Sequence, residues 1–312
     1  MAVEVLSSLR HECTACGGSC QGSHAYLLNQ GEVDTVLKQA AELGVANPIE
    51  DGHLTQVKGR CAFLDADNLC RIHREYGFES KPLVCKQYPM VALRTETGLR
   101  AGVDPGCYSV MATQHTADEV SNENLVAHRM DLPNEQELKM EQAFLDRTDV
   151  EGMTVAAALF LVTGKPADHT GLPAGFAKRL IVALQKSGLG LLVELPDTPP
   201  KMRAALAPVT DAFDSWDPDN PPPWPCLDAE AEAYAVDVVR RMVHLRLASQ
   251  SVPVVAGVAL LTLSGIIAAA WANPEHDALS KAVPAWCRAI RVRPFWMSIC
   301  PDGAALQHLA TG

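Results

Sequence analysis

The spacing of the cysteines constrains this chain more than any other sequence feature. Seven of the ten cysteines in the 312-residue chain lie between residues 13 and 107. Cys13, Cys16 and Cys20 are close neighbours, and Gly17 and Gly18 between the last two give the segment the backbone freedom to curl around an ion. Three local thiols leave at least one ligand to come from elsewhere in the chain. The pattern therefore predicts a metal site that distant residues complete.

The other cysteines of this region are the candidates for those distant ligands. They are Cys61, Cys70, Cys85 and Cys107, and His73 follows Cys70 closely enough to be an eighth candidate. Eight ligands would fill two four-coordinate sites, whereas six or seven would fill one site and leave a second open. Thiolates select zinc or iron–sulfur clusters over magnesium or calcium. A [4Fe-4S] cluster and a zinc ion are therefore both predicted as cofactors.

An alternative is that these residues are free cysteines buried as small hydrophobic side chains. The clustering argues against it, and so does the expected compartment. The N-terminus shows no signal peptide, so we expect a cytoplasmic protein whose cysteines stay reduced. Cys226, Cys287 and Cys300 show no ligand spacing, and we interpret them as core residues.

Local signals predict how the cysteine region folds. Apolar residues recur at helical spacing from residue 32 to residue 43, with Gly44 placed to end the helix. Between Cys61 and Cys70, two aspartates and an asparagine predict a tight turn that brings these two cysteines together. Prolines on both sides of Cys85 predict a short, constrained segment around it.

The rest of the chain has a helical pattern. Its apolar segments, interrupted by proline or glycine, are residues 155–162, 176–195, 229–247 and 252–272. Five prolines in residues 214–226 predict a connector. We therefore predict a mainly α fold: a loop-rich cysteine-cluster metal-binding domain with short hairpin elements over residues 1–115, followed by a helical region over residues 116–312.

Two kinds of partner are disfavoured. Residues 111–220 hold 9 Lys and Arg against 17 Asp and Glu, and no basic cluster elsewhere offers a surface for phosphate backbones, so we expect no nucleic acid. Residues 252–272 carry no charge over a length that could span a bilayer. Pro253, Gly257, Thr262, Ser264 and Gly265 lower the hydrophobicity of this segment, and we expect a helix buried in a bundle and no membrane. The sequence gives no indication of the oligomeric state.

The N-terminal motifs resemble a known family. Cys13-x2-Cys16-x3-Cys20 is followed in order by Cys61-x-Phe-Leu, Cys70-x-Ile-His, and Lys-Pro-x2-Cys85-x2-Tyr-Pro. This order resembles the YkgJ-type cysteine-cluster family, described as zinc- or iron-chelating, over about residues 11 to 110. Relatives often have a double cysteine at the end of the first motif, whereas here Gln21 follows Cys20. The resemblance thus implies either a vacant coordination position or a substitute ligand, such as His73 or Cys107.

The resemblance also implies candidate activities. The family includes flagellin lysine N-methylase, which implies cluster-dependent methyl transfer from S-adenosylmethionine to a lysine of a protein substrate. The residues themselves contain no nucleotide-binding fingerprint that supports such a donor site. The alternatives are a non-catalytic interaction module that zinc stabilises, and a metal storage or delivery protein.

Overall fold

The structure is a computed structural model that describes residues 3–6, 9–22, 25–95, 98–114, 116–120, 125–127, 129–130, 134–225, 227–248 and 254–312. The prediction for Cys226 lies outside these residues. Within them the fold is mainly α, as predicted, and most of the helices follow residue 134.

The cysteine-bearing part of the chain is built from short elements around one longer helix. In chain order they are β1 (Val3–Val5), α1 (Gln30–Leu43), β2 (Ile49–Glu50), β3 (His53–Leu54), β4 (Gln56–Val57), β5 (Arg60–Cys61), α2 (Arg71–Tyr76) and α3 (Leu83–Gln87). The Asn29 side chain caps α1 by accepting a hydrogen bond from the Glu32 amide at 3.0 Å, and Gly44 ends the helix in a left-handed conformation. The predicted helix and its end are confirmed.

A four-stranded sheet lies next to these short elements. The strands β6 (Met90–Arg94) and β7 (Leu99–Val103) form an antiparallel hairpin, which β1 and β8 (Arg129–Met130) flank in parallel orientation. Alternate residues of β6 face two different hydrophobic clusters, because Met90 packs with Leu9 and Val103 whereas Val91 packs with the helices. The two faces of β6 thereby belong to two separate hydrophobic clusters.

The helical region encloses the main hydrophobic core. After the short helix α4 (Val110–Thr113), it contains α5 (Glu135–Thr148), α6 (Val155–Thr163), α7 (Phe176–Lys186), α8 (Leu189–Val193), α9 (Pro200–Ala212), α10 (Ala229–His244), α11 (Leu260–Ala272), α12 (His276–Ala289), α13 (Arg293–Ile299) and α14 (Gly303–Thr311). The predicted segment 176–195 is two helices, because Gly188 adopts a left-handed conformation between them. Cys287 and Cys300 are buried in this core, as predicted.

The uncharged segment that could have spanned a membrane lies largely inside the protein. In the described residues, Val255–Ala272 is the one helical stretch with the length and composition to cross a bilayer, and 78% of it is buried. Trp286 packs directly on Gly265, where any side chain would overlap the indole ring. Its indole nitrogen also donates to the Leu261 carbonyl at 2.9 Å. This packing fits the prediction of a helix buried in a bundle.

The proline-rich segment has more contacts than a simple connector. Residues 216–225 form no helix or strand, in agreement with the five prolines. The Trp216 ring, however, packs against the rings of Phe213 and Trp271, each with centroids 5.4 Å apart. Trp224 donates from its indole nitrogen to Glu232 on α10 at 3.0 Å. Two tryptophans therefore hold this segment on the helical core.

Candidate metal centre

Four cysteine side chains from four separate segments line one small cavity. Cys20, Cys61, Cys70 and Cys85 surround a space of about 60 Å³, which is several times the volume that one water molecule needs. The other lining residues are mostly apolar: Ala25, Leu54, Phe63, Leu64, Ile72, Lys81, Pro82, Val84 and Tyr88. The sequence separates these thiols by as many as 65 positions, so only the tertiary fold assembles them.

Local geometry explains how each thiol reaches the cavity. Cys20 ends a 3₁₀ turn, and Cys61 lies in β5. The turn that follows is fixed by Asp65, whose carboxylate accepts from the amides of Asp67 and Leu69 at 2.9 Å each. This turn pairs Leu64 with Cys70, and the predicted approach of Cys61 and Cys70 is confirmed.

Cys85 reaches the cavity from the short helix α3. This helix starts directly after Pro82 and ends before Tyr88, because a proline is well tolerated before the first turn of a helix and Pro89 disfavours helix at the residue before it. The predicted constrained segment is thus a five-residue helix. Lys81 and Tyr88, at the two ends of the segment, also line the cavity, although the sequence assigned them no role.

Burial keeps the thiols of Cys20, Cys61 and Cys85 protonated in the absence of a metal ion. Burial, together with repulsion from Cys61, raises the pKa of Cys20 to about 12. Burial likewise raises the pKa of Cys61 to about 11, and it raises the pKa of Cys85 well above its ordinary value. Because a cation would compensate the charges that otherwise repel one another, this donor set fits a metal ion that binds while the thiols lose their protons.

The remaining predicted ligands lie elsewhere. Cys13 is exposed at the edge of the group, close enough to Cys20 to affect its titration. Cys16 is half-buried, with its sulfur 3.7 Å from the hydroxyl of Ser109. Although burial opposes it, the Gly18 amide and the Lys201 ammonium lower the pKa of Cys16. Neither cysteine lines the cavity.

Cys107 and His73 lie apart from the four thiols. Cys107 is buried in the hydrophobic cluster of Leu9, Met90, Val103 and Val110. The His73 ring packs edge-on against Phe78 on the outside of α2, with the centroids 5.8 Å apart. The structure thus brings four of the eight predicted ligands to one cavity, a number that matches one four-coordinate site.

The four thiols share a cavity but do not yet converge on a single point. In the ranges that the structure describes, no group of three or more His, Cys, Asp or Glu side chains has the arrangement that holds a metal ion as it stands. An ion in the cavity would have to draw the sulfur atoms closer together.

Comparison with known proteins gives one match. Residues 12–122 match the family model CxxCxxCC, described as a "putative zinc- or iron-chelating domain". The matched range contains all seven clustered cysteines. No curated protein and no solved structure matches the chain.

Proposed function

We propose that this protein binds zinc or iron at the cavity between Cys20, Cys61, Cys70 and Cys85, within the range 12–122 that matches the CxxCxxCC family model. The observation that carries the proposal is the meeting of four thiols from four separate segments at one largely apolar cavity. Such a set supplies the soft ligands that zinc and iron–sulfur centres prefer. The metal would stabilise the loops that carry the thiols, since binding energy at such a site is also folding energy.

Lys81 supplies a charge that supports this assignment. Four thiolates around a divalent ion leave a net charge of about −2 in a poorly hydrated cavity. The Lys81 ammonium lowers the pKa of both Cys20 and Cys85, although burial of those thiols acts in the opposite direction and dominates. Lys81 also lies over the Phe78 ring, 5.2 Å from its centroid. This residue therefore offsets part of the negative charge of the occupied site.

Metal analysis tests the proposed function and distinguishes a zinc site from an iron–sulfur site. Protein purified without oxygen is expected to carry metal at a fixed stoichiometry, either as colourless zinc or as iron with the broad visible absorption of an iron–sulfur cluster. Cys107→Ala serves as the matched control, because Cys107 belongs to the same family range but lies outside the cavity, and it should retain the wild-type metal content. Absence of stoichiometric metal from anaerobic, metal-supplemented protein would refute the proposal.

A second candidate function is methyl transfer from S-adenosylmethionine to a lysine of a protein substrate. It is favoured by a cavity of about 910 Å³ between α10 and the segment 148–154, which is within the size range of cofactor sites. Glu151 lines this cavity and provides negative charge for a cationic donor. Asp149 pairs with Arg240 at 2.8 Å and Asp237 pairs with Arg241 at 2.7 Å, so Arg240 would have to exchange Asp149 for the carboxylate of the donor. Trp224 provides an aromatic wall.

Filling this cavity tests the second function. Ala233 is exposed on α10 and lines the cavity, so Ala233→Trp should block the space without removing a hydrogen bond. If the protein is a methyltransferase, the metal-loaded wild type should bind S-adenosylmethionine in calorimetry, and this variant should bind it at least 10-fold more weakly. Ala304→Trp, at an exposed position on α14, is the control and should bind normally. Failure of the metal-loaded wild type to bind the donor would leave a metal-binding module without this activity.

A further inference from the structure

Gln21, the residue directly after Cys20, is buried. Only 4% of the residue is exposed, although glutamine is usually a surface residue. Its side-chain oxygen accepts from the Lys201 amide at 2.8 Å, and its side-chain nitrogen donates to the Asn68 side chain at 3.1 Å. One side chain therefore joins the loop of Cys20, the turn before Cys70 and the first turn of α9.

Arg288 makes a second link between the helices and the cysteine loops. This residue of α12 is 9% exposed and donates to the backbone carbonyl of Gln21 at 2.6 Å. Its other terminal nitrogen lies 3.4 Å from the hydroxyl of Tyr88, which lines the thiol cavity. Arg288 thus contacts the residue after Cys20 and the segment that carries Cys85.

Close packing reinforces these two links. A side chain at Gly22 would overlap the Pro199 ring, and a Cβ at Gly59 would lie 2.8 Å from the Pro199 backbone nitrogen. A side chain at Gly17 would overlap Asn68. All three glycines have positive φ, so both space and backbone conformation exclude a larger residue. The start of α9 therefore lies in close contact with the loops of Cys20 and Cys61.

We propose that Gln21 and Arg288 are positioning residues for the metal site, and that they couple metal occupancy to the docking of α9 and α12 on the cysteine loops. The proposal rests on the proposed metal-binding function. Groups that orient metal ligands from outside the coordination sphere strongly affect affinity. Because coupling free energies are reciprocal, helices that fix the ligand loops favour metal binding, and bound metal in turn stabilises the docked helices.

Metal affinity is the first test. Gln21→Ala is expected to weaken zinc or ferrous-ion binding by about 10- to 100-fold in competition with a chromophoric chelator, the range found when such supporting residues are removed. Arg288→Lys keeps the positive charge but loses the planar guanidinium whose two terminal nitrogens contact two partners. This variant should show a smaller loss of metal affinity. Gln185→Ala is the matched control, since Gln185 bridges the carbonyls of Phe213 and Trp216 at 2.9 and 2.8 Å within the helical region. The Gln185→Ala substitution should lower the stability of the protein but leave its metal affinity unchanged.

Hydrogen exchange is the second test and does not depend on any activity. In the wild type, added zinc or ferrous ion should slow exchange of the Lys201 amide, which Gln21 binds, and Gln21→Ala should abolish this protection while the Gln185→Ala protein retains it. The positioning role is overturned if Gln21→Ala and Arg288→Lys both bind metal with wild-type affinity. It is also overturned if Gln185→Ala loses as much metal affinity as Gln21→Ala. A wild-type protein that binds no metal would instead refute the proposed function itself.

Discussion

Replacement of Cys85 by serine is expected to abolish stoichiometric metal binding and to lower the stability of the metal-loaded protein. Cys85 reaches the cavity from α3, opposite thiols that come from three other segments. A serine hydroxyl is a hard ligand that remains protonated at neutral pH, so it cannot replace a thiolate. Structural zinc sites contribute about 10–16 kcal/mol of binding energy that is also folding energy, and removal of one of four ligands forfeits a large part of it.

Metal content per chain and thermal unfolding with and without a chelator measure this effect. The metal-loaded wild type should unfold at a higher temperature than the chelated wild type, whereas Cys85→Ser should unfold at the same temperature in both conditions. Cys300→Ala is the control because Cys300 is also buried, but in the helical core, and this variant should retain metal. Wild-type metal content in Cys85→Ser would exclude Cys85 as a ligand.

Glu141→Gln is expected to reduce the free energy of unfolding by about 3–5 kcal/mol, the range for loss of one partner from a buried ion pair. Glu141 on α5 is fully buried, and its carboxylate accepts from Arg100 of β7 at 2.9 Å and from Arg246. Both arginines are 4% exposed, so a neutral side chain between them leaves two buried positive charges without full compensation. This group joins the sheet to the helical region.

Urea denaturation at neutral pH measures this loss. Glu137→Gln is the matched control, because Glu137 lies one helical turn earlier and 3.7 Å from Arg246, but its side chain is 38% exposed. We expect Glu137→Gln to reduce the free energy of unfolding by less than about 1 kcal/mol, as is usual for exposed ion pairs. Equal losses in the two variants would show that the Glu141 carboxylate has no special role in stability. The coupling between Glu141 and Arg246 can then be isolated with a double-mutant cycle of Glu141→Gln, Arg246→Met and the two substitutions together.

Features that depend on neighbouring residues were predictable from the sequence. Gly44 ends α1 because glycine adopts the left-handed conformation without steric cost, and this preference does not depend on the rest of the fold. The same holds for the turn at Asp65, where a side chain binds amides two and four residues further along. The helical character of the second part also follows from local periodicity. The parallel pairing of β1 with β7 was not predictable in this way, since its partners are about 96 residues apart.

The identity of the four thiols at the cavity was decided by the tertiary structure. The sequence determined that this chain has a cysteine cluster suited to zinc or iron, because thiolate chemistry and motif spacing are local properties. It offered eight candidate ligands with no means of grouping them, since sequence distance does not determine which segments meet in space. Only the fold brings Cys85 to Cys20 and moves Cys107 into a hydrophobic cluster. Only the fold brings Arg288 to Gln21, a contact across 267 residues that no local pattern encodes.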